Sequence, residues 1–201
     1  MLKDWINQKY LKNYSKLNKE FNKNKPFPHL ILKDFFKVSK AKLLLKEVKK
    51  EKYKYKDWDL YRLYESRDFD FVKNELLKEF YKLIRSRAFL EIIKKITGSK
   101  VKTASAAAAI YKKTCYLLPH DDRLEKRKVA YILNLSEFKK QDGGQLEFFS
   151  TKNNHPIKIT KSIIPKFNNL ILFQVSRKSF HQVAEVLKNK ERRTIPGWFY
   201  G

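Results

Sequence analysis

Pro119-His120-Asp121-Asp122 is answered far down the chain by Ser179-Phe180-His181-Gln182 and then by Arg192-Arg193-Thr194. Side chains alternate faces along a strand, so a strand here points His120 and Asp122 the same way and turns Asp121 aside. A second imidazole from a distant strand, His181, would complete a two-histidine, one-carboxylate face. That ligand set is expected of non-haem Fe(II) oxygenases, which leave metal positions open for substrate and O₂. Arg192 and Thr194 also stand two apart and share a face, and a guanidinium beside a hydroxyl is a receptor for a carboxylate. The carboxylate expected there is the distal one of 2-oxoglutarate, whose other end chelates the metal. His-x-Asp alone occurs often by chance; followed in order by His181 and Arg192, in strand-like surroundings, it is specific.

The surroundings are strand-like on both sides of the motif. Val129 to Leu135 is a continuous apolar run suited to an inner strand, and Gly143-Gly144 is a turn leading into Gln145 to Phe149. Ile163 to Phe167, Asn169 to Val175, Phe180 to Val186 and Arg192 to Tyr200 supply closing strands. Val101 to Tyr111 is small and apolar and leads into the motif, so it too reads as strand.

Upstream the period changes. Trp5, Ile6, Tyr10, Leu11, Tyr14 and Leu17 fall at helical spacing and predict one amphipathic helix over residues 1–23. Pro26 and Pro28 end it, and His29-Leu30-Ile31-Leu32 follows as an early strand. Ser39 is placed to cap a helix carrying Leu43 to Val48, the charged run Lys49 to Lys56 reads as a helix end and loop, and Asp57 to Tyr64 returns to an extended or looped form. Asp70 to Leu83 and Ala88 to Ile96 predict two more helices, the second closed by Thr97-Gly98. The fold class expected is therefore α+β, mainly β: a double-stranded β-helix, or jelly roll, over residues 99–201, supported by a mainly helical part over residues 1–98. The whole of 1–201 is expected to be a single domain.

Composition bounds the function. Forty-six basic against twenty-one acidic residues give a net charge of +25. The lysines are scattered through every segment, so the excess suggests at most a weak electrostatic contact with RNA or ribosomes. No apolar run is long enough to span a bilayer and the start lacks the apolar core of a secretory signal, so no membrane partner and a cytoplasmic location are expected. A lone cysteine, Cys115, excludes an internal disulfide and fits a reducing compartment, as a small buried residue rather than a nucleophile. His29 and His155 read as structural or surface histidines.

The segments YKKTCYLLPHDD, RKVAYILNLS, GGQLEFF, IIPKFNNLILFQVSRKSFHQVAEVL and RRTIPGWFYG resemble the catalytic domain of the ribosomal-protein prolyl hydroxylases. These are prolyl 4-hydroxylase-like 2-oxoglutarate and Fe(II) oxygenases whose best-known members act on small-subunit protein uS12. With PFPHLILKDFF and DLYRLYESRDF, the likeness covers roughly residues 26–201. It implies Fe(II) on His120, Asp122 and His181, and 2-oxoglutarate on Arg192 and Thr194. Tyr111 matches by position the tyrosine that hydrogen-bonds this cosubstrate. O₂ is the co-reactant, ascorbate a stimulant, and the substrate a protein carrying a target proline, with a ribosomal protein first in line. In two respects the chain departs from that pattern. Asn134 stands where a tyrosine is frequent, and the second, C-terminal double-stranded β-helix is not expected in a chain whose last residues are Trp198 to Gly201. Two other readings keep the fold: an oxygenase acting on nucleic acid, and a non-catalytic binding protein associated with ribosomes or RNA.

Overall fold

The computed structural model describes residues 2–124 and 126–201. Its helices are α1 (Leu2–Trp5), α2 (Tyr14–Lys23), α3 (Val38–Val48), α4 (Glu75–Arg85) and α5 (Arg87–Thr97). Its strands are β1 (His29–Leu32), β2 (Tyr53–Trp58), β3 (Tyr61–Ser66), β4 (Thr103–Ala104), β5 (Ala109–Tyr111) and β6 (Tyr116–His120), then β7 (Arg127–Asn134), β8 (Leu146–Lys152), β9 (His155–Ile163), β10 (Leu170–Gln174), β11 (His181–Val183) and β12 (Arg192–Tyr200).

All the strands pair antiparallel in one sheet of order β1-β10-β7-β12-β5-β3-β6-β11-β8-β9, with β2 on β3 and β4 on β12. The sheet curls back on itself. Five strands separate β10 from β11 in that order, yet the Phe173 ring lies 4.6 Å from the His181 ring. This is the double-stranded β-helix that the sequence predicts.

Strand β7 shows how the sheet is held between two layers. Its Val129, Tyr131 and Leu133 turn to the helices, where they pack with Leu83, Phe89, Ile93 and Ile96 of α4 and α5. Ala130 and Ile132 turn the other way, into the concave side with Leu146, Phe148 and Phe173. A strand buried on both faces reads as an unbroken apolar run, which is why it was recognisable. The helices behind it begin and end where local chemistry dictates. Asn74 and Ser86 accept the Leu77 and Phe89 backbone N–H groups at the starts of α4 and α5, and Gly98, left-handed at φ 75°, closes α5.

The strand expected over 163–167 is absent beyond Ile163, the last residue of β9, and four further expectations fail for identifiable reasons. The single helix over 1–23 is broken into α1, a 3-10 turn and α2. Trp5 and Ile6 are fully buried, Ile6 bridges to Phe36, and Asn13 reverses the chain at φ 60°. Ser39 lies inside α3 rather than capping it, since the helix starts at Val38. Part of the charged run, expected as helix end and loop, instead forms β2 and pairs with β3. There Asp57 stands opposite Arg62, and their side chains meet at 3.1 Å. Such a hairpin is specified by cross-strand charge rather than by apolar alternation. Finally, the strand expected over 101–111 is split into β4 and β5. The gap faces Pro196, which has no N–H to pair, and Gly197, where an added Cβ would meet the Ser105 carbonyl at 2.1 Å.

Asn168 ties the helical half to the sheet. Fully buried at φ 61°, it accepts the Phe36 N–H at 3.1 Å and donates to the Phe36 carbonyl at 2.7 Å. Asn168→Ala removes both bonds and leaves two buried backbone groups unmatched. Urea unfolding should show a loss of about 3 to 4 kcal/mol.

Candidate active site

His120 ends β6 and His181 begins β11, and the two strands pair with these residues opposite each other. Their rings lie with centroids 4.2 Å apart. Each Nδ1 sits 2.8 Å from the carbonyl two residues upstream, that of Leu118 for His120 and that of Ser179 for His181. A carbonyl only accepts, so each Nδ1 carries the hydrogen and each Nε2 keeps a lone pair. Both Nε2 atoms face Asp122, at 3.5 Å from its Oδ1 for His120 and 3.4 Å from its Oδ2 for His181. One ligand atom from each of the three residues lies within 4.8 Å of the others, a group able to hold a metal ion.

Asp122 reaches this place by a different route from the one expected. Strand β6 stops at His120, and Asp122 has φ 62°. A left-handed backbone, rather than strand alternation, swings the carboxylate inward. Arg127 holds it there: its Nη1 is 3.4 Å from Asp122 Oδ1, and its guanidinium lies 3.6 Å over the Trp198 ring.

Burial alone would raise the Asp122 pKa, yet the His120 hydrogen bond and the nearness of both imidazoles hold it well below the usual carboxylate range. Burial pushes His181 down to about 4, and His120 beside it adds to the effect. His120 is also depressed by burial, but the Asp122 carboxylate outweighs this and raises it above the ordinary imidazole value. Of the two imidazoles, His120 is therefore the one that takes up a proton more readily.

These residues open onto a cavity of about 490 Å³ that also takes in Tyr111, Arg192 and Thr194. Arg192 and Tyr111 stand opposite each other on β12 and β5, the guanidinium 5.0 Å from the ring centre. Burial lowers the arginine to about 10 and raises the tyrosine to about 12, so at neutral pH one is a cation and the other a neutral phenol. Arg192 is 1% exposed, and its Nε and Nη2 have no partner. A buried cation without an anion is costly, and a ligand carboxylate would complete it. Arg193 points elsewhere and pairs with Glu191. Asn134, opposite Thr194, is buried with its amide oxygen unmatched. His29 is buried among Phe27 and Phe148 and is not one of the three clustered residues, and His155 is exposed.

Residues 106–200 match the sequence pattern of the 2OG-Fe(II) oxygenase superfamily. Over this stretch the chain carries a domain of this family. Prolyl 3-hydroxylase OGFOD1 of Xenopus laevis is 38% identical over 184 residues, covering 88% of this chain and 35% of that protein. Prolyl 3-hydroxylase sudestada1 of Drosophila melanogaster is 34% identical over 189 residues, covering 88% and 35%. The chain thus spans about a third of the length of these relatives. Among solved structures, a Pseudomonas putida prolyl-4-hydroxylase shares the fold with a TM-score of 0.74 at 18% identity, over 92% of this chain and 98% of that one. A Trichoplax adhaerens prolyl hydroxylase, solved with a peptide fragment of hypoxia inducible factor, gives 0.75 at 17% identity, over 100% and 96%. Iron and 2-oxoglutarate, which the family implies, fit the residues present. Two Nε2 lone pairs and an ionised carboxylate converge at one place, and a buried cation with unmatched donors lines the same cavity.

Three residues support this site in ways that their sequence positions do not announce. Arg127 braces Asp122. Gly144, at φ 70°, leaves room for Arg192, since a Cβ there would stand 3.2 Å from its Cδ. Ser179 supplies the carbonyl that orients His181. Nothing in spacing marks a brace or a clearance.

Because protons compete with a divalent metal for the His120 Nε2, affinity should fall as pH drops. The His120 pKa is raised, so the loss begins above pH 6.5 and approaches about tenfold per pH unit below its folded pKa. Calorimetric titration with Mn(II) across pH measures it.

Proposed function

We propose that the chain is an Fe(II)- and 2-oxoglutarate-dependent dioxygenase that hydroxylates a prolyl residue of a protein, with a ribosomal or translation protein as substrate. The observation that carries this reading is the presence, in one cavity, of a two-histidine, one-carboxylate cluster and a buried guanidinium that lacks an anion. Residues 1–201 act as a single oxygenase domain. His120, Asp122 and His181 hold the metal, Arg192 takes the C5 carboxylate of 2-oxoglutarate with Thr194 assisting, and Tyr111 hydrogen-bonds the cosubstrate.

Bound Fe(II) supplies the chemistry that couples oxidative decarboxylation of 2-oxoglutarate, to succinate and CO₂, to insertion of one atom of O₂ into a C–H bond. The protein's own part is positioning and exclusion. The backbone carbonyls of Leu118 and Ser179 fix both imidazoles with Nε2 inward. The Asp122 carboxylate stays ionised and braced by Arg127. Arg192 orients the dicarboxylate by charge, and Leu146, Phe173 and Val183 make that part of the cavity wall apolar. Ascorbate stimulates turnover in this reading, and the compartment is the reducing cytoplasm.

The relatives named as prolyl hydroxylases support a protein substrate. So does the charge around the cavity. Among the described residues lining it, Lys56, Arg123 and Arg127 are each paired with a carboxylate on the same lining, Glu65, Asp121 and Asp122 respectively. A groove for a nucleic-acid backbone would keep such cations available for phosphates. The net charge of +25 then leaves a weak, salt-sensitive attraction to ribosomes or RNA elsewhere on the surface.

Incubation with Fe(II), 2-oxoglutarate, ascorbate and candidate peptides should add one oxygen to a proline, read by fragment mass spectrometry. Absence of 2-oxoglutarate consumption with every peptide overturns the reading, and turnover stimulated by oligonucleotides alone favours the nucleic-acid alternative. Arg192→Met carries a two-sided expectation. Removing an unpaired buried cation should raise the melting temperature of the ligand-free protein. The same change should weaken 2-oxoglutarate binding in the presence of Mn(II) by about a hundredfold or more, so that 2-oxoglutarate no longer shifts the melt.

A further inference from the structure

Beyond the ligands themselves, we infer that Ser179 is a positioning residue that latches the Asp122 segment to the His181 segment and so sets the spacing of the metal cluster. This rests on the reading that His120, Asp122 and His181 hold a divalent metal. Ser179 is fully buried, in the turn that delivers the chain to β11. Its carbonyl accepts the His181 Nδ1 hydrogen at 2.8 Å. Its hydroxyl lies 3.0 Å from the Asp121 carbonyl, on the other ligand-bearing segment. One residue therefore touches both halves of the site, one through its backbone and the other through its side chain.

The target of the hydroxyl matters. The Asp121 carbonyl belongs to the peptide group that leads into Asp122, so fixing it fixes the plane about which the Asp122 φ is set. That φ is 62°, in the left-handed region that is unfavourable for a residue with a Cβ, so contacts that hold the flanking peptide matter there. Strand pairing contributes little at this point, because β6 has already ended at His120. On the other side of the kink, Asp121 spends its carboxylate on Arg123, with Nε at 2.6 Å and the backbone N–H at 3.2 Å. The Ser179 hydroxyl also lies 2.8 Å from the Ser176 carbonyl and accepts the Ser176 N–H at 2.9 Å. A hydroxyl has a single hydrogen to give. The Ser176 carbonyl already receives the Ser179 backbone N–H at 3.1 Å, so the Asp121 carbonyl has more to gain from it.

The experiment is Mn(II) binding to the metal-free full chain, read by the electron paramagnetic resonance signal of free Mn(II), alongside melting of the metal-free protein. Ser179→Ala and Ser179→Cys, the second keeping the volume with a much weaker donor, should each raise the Mn(II) Kd by about tenfold. Ser179→Thr, which keeps the hydroxyl, should restore affinity to within about threefold of the parent. A merely structural serine would lower the melting temperature and leave the Kd where it was; Kd values equal to the parent in both the Ala and Cys variants overturn the latch. If the Ala variant does not fold, the Cys and Thr variants decide between the same two outcomes. Failure of the parent chain to bind Mn(II) would instead overturn the metal reading itself, and the latch with it.

Discussion

Folding buries one guanidinium without a partner, and much of the concave side is arranged around that cost. Desolvating Arg192 without an anion works against the fold by several kcal/mol. Part is recovered where the guanidinium stands over the Tyr111 ring, and part by packing of its methylene stem against Gly144 and its neighbours. The rest is carried by the two-sided apolar core through β7, β10 and β12. A protein keeps such a charge where a ligand completes it, and the cavity that holds Arg192 also holds the three groups able to take a metal. The two features have one explanation when a single molecule touches both.

The parts of this design that were legible in the sequence are those set by residue type and period. The apolar run Val129 to Leu135 became an inner strand because only burial on both faces accommodates it. His120, Asp122, His181, Arg192, Thr194 and Tyr111 come to one cavity, and pairing of β12 with β5 sets Tyr111 opposite Arg192. What was hidden is what neighbours in space decide. The hairpin of β2 and β3 is written in opposed charges across strands, which look along the chain like a solvated run. The break of the first helix follows from Trp5 and Ile6 finding Phe36 and Glu79, contacts with residues far along the chain. The carboxylate was placed on the right face for the wrong reason, since no pattern of alternation announces a left-handed aspartate.

Charge tells a similar story at larger scale. No lysine is among the buried residues described, so the basic excess of the composition lies on the outer surface. Around the cavity, by contrast, cations meet carboxylates almost one for one. Global charge governs encounter over a Debye length, whereas local pairing governs what is accommodated once there. The composition therefore speaks to how a partner approaches, and the cavity wall to what kind of chain enters. For the protein substrate proposed above, neutral amides and a short apolar ring at proline suit a wall of Leu, Phe, Val and paired ions better than a polyanion would.

The three groups of the cluster are not held alike, and the difference has a physical consequence. His120 and His181 are fixed by strand pairing and by backbone carbonyls two residues away, so their Nε2 atoms are set by the same ladder that makes the sheet. Asp122 stands just past the end of that ladder, on strained backbone, and is held by the side chain of Arg127. The imidazoles are thus set by the sheet ladder, and the carboxylate by side-chain contacts beyond it. A fold that placed all three on one strand could not bring them together, since alternation and rise would spread them along a line. Two strands far apart in sequence, β6 and β11, and one kink just after the first suffice.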